Sequence, residues 1–309
     1  MATNGVNFTY GDVGRRESLL DVLTMISPTE TQLFTGLPKS RATNTVHSWT
    51  TRDLESVGGN AQNEGQDAPA DNAGDPSRPV NVTQIFAKTA KVSNTELAVD
   101  RVGGNRMAEE IRLKLAALKN DIEYALLRGS IASGAASTGG TNARQLKGVK
   151  NWVTTNVSNY SGATLTETVL NDMFESAWNN GGEVNAVYTS MKGKRRISGF
   201  TAGATKNVET TDRRLVNAVD VYEADAASAV KLFAHRYVTV SGDYGTTATP
   251  GFDLLALQED TWAVAFLEGR EPKTIDLAIT GDFQAKEIVT ELTLEARAEE
   301  ANVLGRVLF

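Results

Sequence analysis

The chain has 309 residues, 40% of them hydrophobic and 22% charged, with a formal net charge of −7 and no cysteine. That length supports one large domain or two ordinary ones with a sizeable core. The missing thiols exclude disulfides, thiolate metal sites and cysteine nucleophiles and suit a reducing cytosol; the acidic balance argues against a dedicated nucleic-acid binder. Met1–Ser18 has no apolar stretch of the kind a signal peptide needs. The longest purely apolar run, Trp262–Leu267, is far too short to span a bilayer, so no membrane partner is expected.

Residues 1–45 carry weak order signals, with a short amphipathic helix predicted at Ser18–Ile26 (SLLDVLTMI) and stopped by Ser27-Pro28. Val46–Leu54 is rich in β-branched residues and is predicted to be a strand; Val80–Val92 is predicted to be a second. Between them lies Gly58–Pro79, GGNAQNEGQDAPADNAGDPSRP, without a single Val, Ile, Leu, Met, Phe, Tyr or Trp. Nothing in that stretch can fill a core. Two strands flanking it predict a long hairpin. Arms of about 20 residues at ~3.3 Å each would reach about 65 Å, well past the ~19 Å radius of gyration of a compact body of this length. A lone two-stranded ribbon is barely stable in water, so support from outside the monomer is expected, most simply from an adjacent copy.

Ser93-Asn94-Thr95-Glu96 fits a capping box that opens a short helix running to Gly103-Gly104. Asn105 is placed to cap the next helix, with Glu109 and Glu110 in its first turns. Met107, Ile111, Leu115, Leu118, Ile122 and Leu126 make one apolar stripe along it, with Arg112, Lys114, Lys119, Asp121 and Glu123 largely off the stripe. Gly129 is its natural stop, giving a rod of roughly 36 Å. Ser130–Asn142 reads as a loop and Thr164–Asn180 as a second amphipathic helix, closed by Gly181-Gly182. Short strands follow at Val184–Tyr188, Val216–Tyr222, Val230–Val240, Phe252–Leu257 and Thr261–Phe266. Glu287–Arg297 reads as a long strand with Ile288, Leu292, Leu294 and Ala296 on a buried face and Glu287, Glu291, Glu295 and Arg297 on a wet one.

A search for chemistry returns little. The two histidines, His47 and His235, lie in different segments and are read as packed side chains. No nucleophile elbow, phosphate loop or dinucleotide fingerprint is present. Ser228 and Lys231 match S-x-x-K without the K-T-G that should accompany it. Asp67, Asp71 and Asp75 recur every fourth residue, not in the alternation of a calcium loop. Lys192, Lys194, Arg195 and Arg196 cluster, and are read as a solvated helix end, with a phosphate or partner contact as the other reading. No cofactor or metal is expected, and the emptiness of the search points toward a structural protein.

The order of parts resembles that of tailed-bacteriophage major capsid proteins, the Hong Kong 97-type fold shared with encapsulins and herpesvirus capsid floors. NVTQIFAKTAKVS (Asn81–Ser93) is similar to the returning arm of the hairpin in one branch of them. EYALLRG (Glu123–Gly129) with QLKG (Gln145–Gly148) resembles the end of the spine helix and the turn after it. Thr280-Gly281-Asp282 and ELTLE (Glu291–Glu295) resemble the C-terminal strands. The likeness runs from Ser27 onward; one departure is Val303-Leu304-Gly305, where a His-Gly pair is expected.

What the resemblance implies is an α+β capsid fold. Residues 1–45 would form an N-terminal arm, 46–92 an extended loop and 93–160 the spine helix and peripheral domain. Residues 161–270 would form the axial domain, and 271–309 the C-terminal strands of the peripheral domain. The function implied is a non-enzymatic icosahedral head shell of pentamers and hexamers, part of the virion and assembled in the host cytoplasm, with little or no direct DNA binding. Portal and decoration proteins are further candidate partners, as is a separate scaffolding protein, since the arm starts almost at Met1. Arg52, Glu64, Asp67, Asp71, Asp75 and Arg78 are the candidate intersubunit contacts. Some members of the fold join a loop lysine to a neighbour's asparagine; no lysine occurs between Ser40 and Ala87, so non-covalent contacts are expected here. The alternatives are an encapsulin-like nanocompartment shell, and a soluble enzyme with an unrecognised carboxylate site.

Overall fold

The computed structural model describes residues 31–52, 54–55, 58–67, 74–99, 105–133, 143–200, 220–224, 227–240, 243 and 251–309. The helix predicted at Ser18–Ile26 lies outside them. In chain order come α1 (Gln32–Gly36), β1 (Lys39–Ala42), β2 (Val46–Ser48), β3 (Val80–Val82) and β4 (Gln84–Ser93). Next are α2 (Asn94–Ala98), α3 (Arg106–Arg128), α4 (Val149–Trp152), β5 (Val157–Asn159), α5 (Glu167–Asn179), β6 (Ala186–Thr189) and α6 (Met191–Phe200). The rest is strand: β7 (Val221–Ala224), β8 (Ala227–Ala234), β9 (Phe252–Leu257), β10 (Trp262–Leu267), β11 (Lys273–Asp276), β12 (Phe283–Ala296) and β13 (Val303–Leu308).

Two sheets carry the body. One has the order β1-β10-β12-β11, with β4 also paired to β12; the other runs β5-β13-β9-β6-β8-β7. The spine helix α3 lies along the first. Leu118, Ile122, Leu126 and Leu127 pack there with Phe86 of β4, Trp262 of β10 and Ile288, Leu292 and Leu294 of β12. In the second core Leu170, Met173, Phe174 and Ala177 of α5 meet Phe252 and Leu254 of β9 and Val303 and Leu308 of β13.

The predicted Asn105 cap is present, and α5 carries a cap that the sequence reading did not name. Asn105 accepts from the amides of Met107 and Ala108, and Thr166 caps α5 by accepting from Val169. Ser93 accepts from the Glu96 amide, but α2 ends at Ala98, short of the predicted glycines. Gly129 ends α3 by close approach and not by a left-handed turn: its φ is −51°, and a Cβ there would sit 2.4 Å from the Leu146 carbonyl oxygen.

Three expectations are corrected. The returning strand is broken at Thr83. Only β3 pairs with β2; β4 pairs along its length with β12, Gln84 opposite Leu292 through to Ser93 opposite Phe283. Its alternating Phe86, Ala90 and Val92 are buried against the body, so the free ribbon is shorter than the sequence predicts. Glu123, read as lying off the stripe, is fully buried, because α1 covers that flank of α3 and turns two backbone N–H groups toward it. The predicted wet face of β12 is also covered: Glu291 and Glu295 are buried, each among donors from other elements.

Candidate assembly surface

The polar excursion is fastened at its base by the two buried glutamates of β12. Glu291 accepts from the Thr83 hydroxyl at 2.6 Å, and Arg144 and Arg270 donate to it at 2.6 and 3.2 Å. Glu295 is 2.6 Å from His47 Nε2 of β2, accepts from Ser40 of β1 at 2.8 Å, and is flanked by Arg297 at 2.9 Å. Burial alone pushes the Glu295 carboxyl up. The hydrogen bonds from His47, Ser40 and Arg297 outweigh it and bring the carboxyl down to about 2. Asn81, itself buried, donates to the carbonyls of Leu294 and Lys147 and accepts from the Lys147 amide. Trp49 donates from its indole to the Ala296 carbonyl and lies against Trp152, ring centroids 5.6 Å apart. Lys147 caps that stack 4.1 Å above the Trp152 ring, and burial lowers the pKa of its amine.

Beyond this base the ribbon thins quickly. Trp49 donates to the Pro79 carbonyl, and Thr51 and Ser77 exchange backbone hydrogen bonds at 3.0 and 2.8 Å. Arg78 donates to the Ser48 hydroxyl across the ribbon at 2.8 and 3.0 Å. Past Thr51 every described side chain out to Asp67 is exposed, as is every one in 74–78. A Cβ added at Gly58, Gly59, Gly65 or Gly74 would meet nothing within 4 Å. The described residues of the segment stand clear of the body.

Of the six candidate contacts, Arg78 is used to hold the ribbon together. Arg52, Glu64, Asp67 and Asp75 are exposed and, among the described residues, form no ion pair within the chain. Asp71 lies outside the described residues. Sequence reasoning missed Leu54, which is 95% exposed near the start of the excursion. It also missed a second projection: Glu271–Asp282 is exposed throughout, and presents Ile275, Leu277 and Ile279 at alternate positions. That I-x-L-x-I alternation was visible in the sequence, but alternation alone does not say which face is uncovered. The basic cluster falls in the first half of α6, with Lys194 paired to Asp220 at 2.7 Å and Arg195 and Arg196 exposed.

His235 donates from Nε2 to Glu123 at 2.8 Å, and its Nδ1 accepts the Tyr237 amide, which fixes the neutral tautomer. Both histidines are packed, as the sequence reading expects, and each is also hydrogen-bonded to a buried glutamate, which it does not. Among the described residues no group of three His, Cys, Asp or Glu is arranged to hold a metal ion, and no helix is long and apolar enough to cross a membrane.

Comparison with known proteins gives a consistent result. The family model described as SU10 major capsid protein matches residues 2–309. The major capsid protein of Escherichia phage Phieco32 is 30% identical over 131 residues, which are 42% of this chain and 37% of that relative's length. Among solved structures, the cyanophage A-1(L) capsid asymmetric unit aligns with a TM-score of 0.69 at 14% identity, over 95% of this chain and 97% of that one. The holo-SrpI encapsulin complex from Synechococcus elongatus PCC 7942 gives 0.63 at 12% identity, over 95% and 92%. Mycobacterium phage Bobi gives 0.59 at 9% identity, over 95% of each chain. At these identities the structural likenesses speak to the fold alone.

Proposed function

The chain belongs to the SU10 major capsid protein family and has the Hong Kong 97-type fold of phage capsids, and from that premise we propose that it builds the closed icosahedral shell enclosing the genome of a tailed phage. The observation that carries this reading is the excursion between Thr51 and Ser77: its described residues beyond Thr51 are all exposed, yet it is anchored at its root by buried glutamates. A monomer gains nothing from such a part; a neighbouring copy gives it something to lie on. Leu54 is the apolar anchor in this picture, and burying one leucine fully is worth about 1.5–3 kcal/mol per contact. Symmetry then repeats each such contact around the shell.

In this reading the ribbon between Val46 and Val82 reaches across to the next copy, while α1 and β1 of the expected 1–45 arm and β4 of the expected 46–92 loop belong to the subunit's own body. The spine helix α3 with the β1-β10-β12-β11 sheet makes the peripheral region, and the β5-β13-β9-β6-β8-β7 sheet with α5 and α6 gathers about the five- and six-fold axes. Arg52, Glu64, Asp67, Asp71 and Asp75 meet charges on an adjacent copy. Exposed pairs of that kind contribute on the order of 0–1 kcal/mol each, so they set register more than strength. Arg78 braces the ribbon from within. The shell is assembled in the host cytoplasm with portal and scaffolding proteins, and the subunit has a structural role with no catalytic one.

Replacing Gly58–Pro79 by a short turn tests this. The shortened chain is expected to fold, since no core residue is removed and only the ribbon's own hydrogen bonds are lost, and to fail to close shells. Leu54→Asp should behave alike. A shortened chain that unfolds, or one that assembles as the wild type does, would overturn the assignment.

A further inference from the structure

A cavity of about 340 Å³ opens beside the end of the spine helix, where β5 and β13 run side by side. Its walls hold two complete ion pairs. Arg128 donates two hydrogen bonds to Asp243 at 2.5 and 2.6 Å, and this guanidinium holds the Asp243 carboxyl below its ordinary range. Lys150 is paired with Asp253, whose other oxygen accepts the Val307 amide at 3.3 Å. These four charges cancel. A third cation, Arg306, also lines the cavity, and its buried Nε has, among the described residues, no hydrogen-bond partner. Opposite it in the parallel register stands Asn159, whose side-chain oxygen accepts from Ser161 while its amide, among the described residues, has no acceptor.

The backbone is shaped to put Arg306 there. Between Gly305 and Leu308 the register of β13 against β9 slips by a bulge, and Val307 takes a φ of +56°. A β-branched residue pays a steric cost in that conformation, and bulges re-aim the side chains they contain. A buried guanidinium nitrogen without an acceptor is costly as well. Both costs fall on two adjacent residues that face one cavity.

We propose that this cavity is a binding site for a single oxyanion, a phosphate or carboxylate group, held by Arg306 and the Asn159 amide. Among the described residues the uncompensated charge is positive, which rules against a cation. The free donors are a guanidinium and an amide, the groups that recognise planar or tetrahedral oxyanions.

Calorimetric titration of the full-length unassembled chain with inorganic phosphate, and separately with acetate, tests the site at fixed ionic strength against chloride. Saturable binding of one anion per chain is expected. Arg306→Gln should weaken it by about tenfold or more, the loss of one charge-assisted hydrogen bond, and Asn159→Ala by a few-fold. Arg195→Gln, in the separate basic cluster of α6, should leave it unchanged. Asn159 is exposed, so its variant keeps the test open should Arg306→Gln fail to fold. Heats no larger than those of chloride, or equal binding by the wild type and the folded variants at 306 and 159, would overturn the proposal. The source of the anion is read from assembly. Phosphate that slows shell formation by the wild type but not by Arg306→Gln assigns the group to a neighbouring copy's carboxylate. Phosphate that binds while assembly proceeds unchanged assigns it to soluble phosphate.

Discussion

Glu123→Ala is the most informative single substitution in the body of the protein. The carboxylate sits at zero exposure in the C-terminal third of α3 and receives three donors: the Leu33 amide at 2.7 Å, the Phe34 amide at 2.8 Å and His235 Nε2 at 2.8 Å. Thr31, the residue before α1, makes no side-chain cap of its own; Glu123 caps that helix from a distance. Removing the carboxylate strands two fully buried donors and one half-buried one. At about 1–3 kcal/mol for each unsatisfied buried donor, and allowing for relaxation at Phe34, the loss comes to roughly 3–6 kcal/mol. That is a large share of the 5–15 kcal/mol typical of a whole domain. Urea unfolding of the unassembled chain should show a lower midpoint with an unchanged slope. Glu110→Ala serves as the control: its carboxylate pairs with Arg106 one turn away on the same helix, and such pairs are worth about 0.2–0.5 kcal/mol. A Glu123→Ala protein within about 1 kcal/mol of the wild type would refute the reasoning, since three buried donors cannot lose their acceptor that cheaply.

Other expectations follow from the same geometry. Ile122→Ala, at a fully enclosed position, should cost about 2–5 kcal/mol, and Leu115→Ala, only half-buried toward the start of the helix, should cost less in the same unfolding experiment. Glu295, held at about 2 against 4.5 for a free carboxyl, stabilises the fold in its ionised form. Its contribution is full above pH ~4.5 and is lost as pH falls toward 2, a span worth about 3 kcal/mol; Glu295→Gln should be less stable at neutral pH and flatter across that window in urea titrations. With no loop lysine and no cysteine, assembled particles boiled in detergent should run as one 33.2 kDa band, and a ladder of higher species would reveal a covalent link.

Much of the fold was legible because local physics decides it. Asn105 and the Met107–Leu126 stripe sit where capping and helical periodicity place them. What escaped was long-range. A helical stripe identifies the face against the main sheet, yet Glu123 lies on a flank that α1, some 90 positions earlier in the chain, comes back to cover. Glu291 and Glu295 alternate with leucines as surface residues do, and only the arrival of Thr83, Arg144, Ser40 and His47 makes their positions interior. The exposed excursion was readable from composition, since a run without apolar side chains cannot pack. Its length was overread, because the alternation of β4 serves β12 and not the ribbon. The cavity beside Arg306 left no trace in the sequence: Arg306, Asn159 and the four residues of the two ion pairs come from six separate places in the fold.

Electron microscopy of the purified, expressed protein tests the central claim most directly. The account predicts closed shells, or pentameric and hexameric capsomers short of closure, in which each copy buries far more than the ~1,600 Å² of an ordinary two-body interface. A monomer that persists at high concentration, with Gly58–Asp67 ordered and protected in the absence of any neighbour, would contradict it.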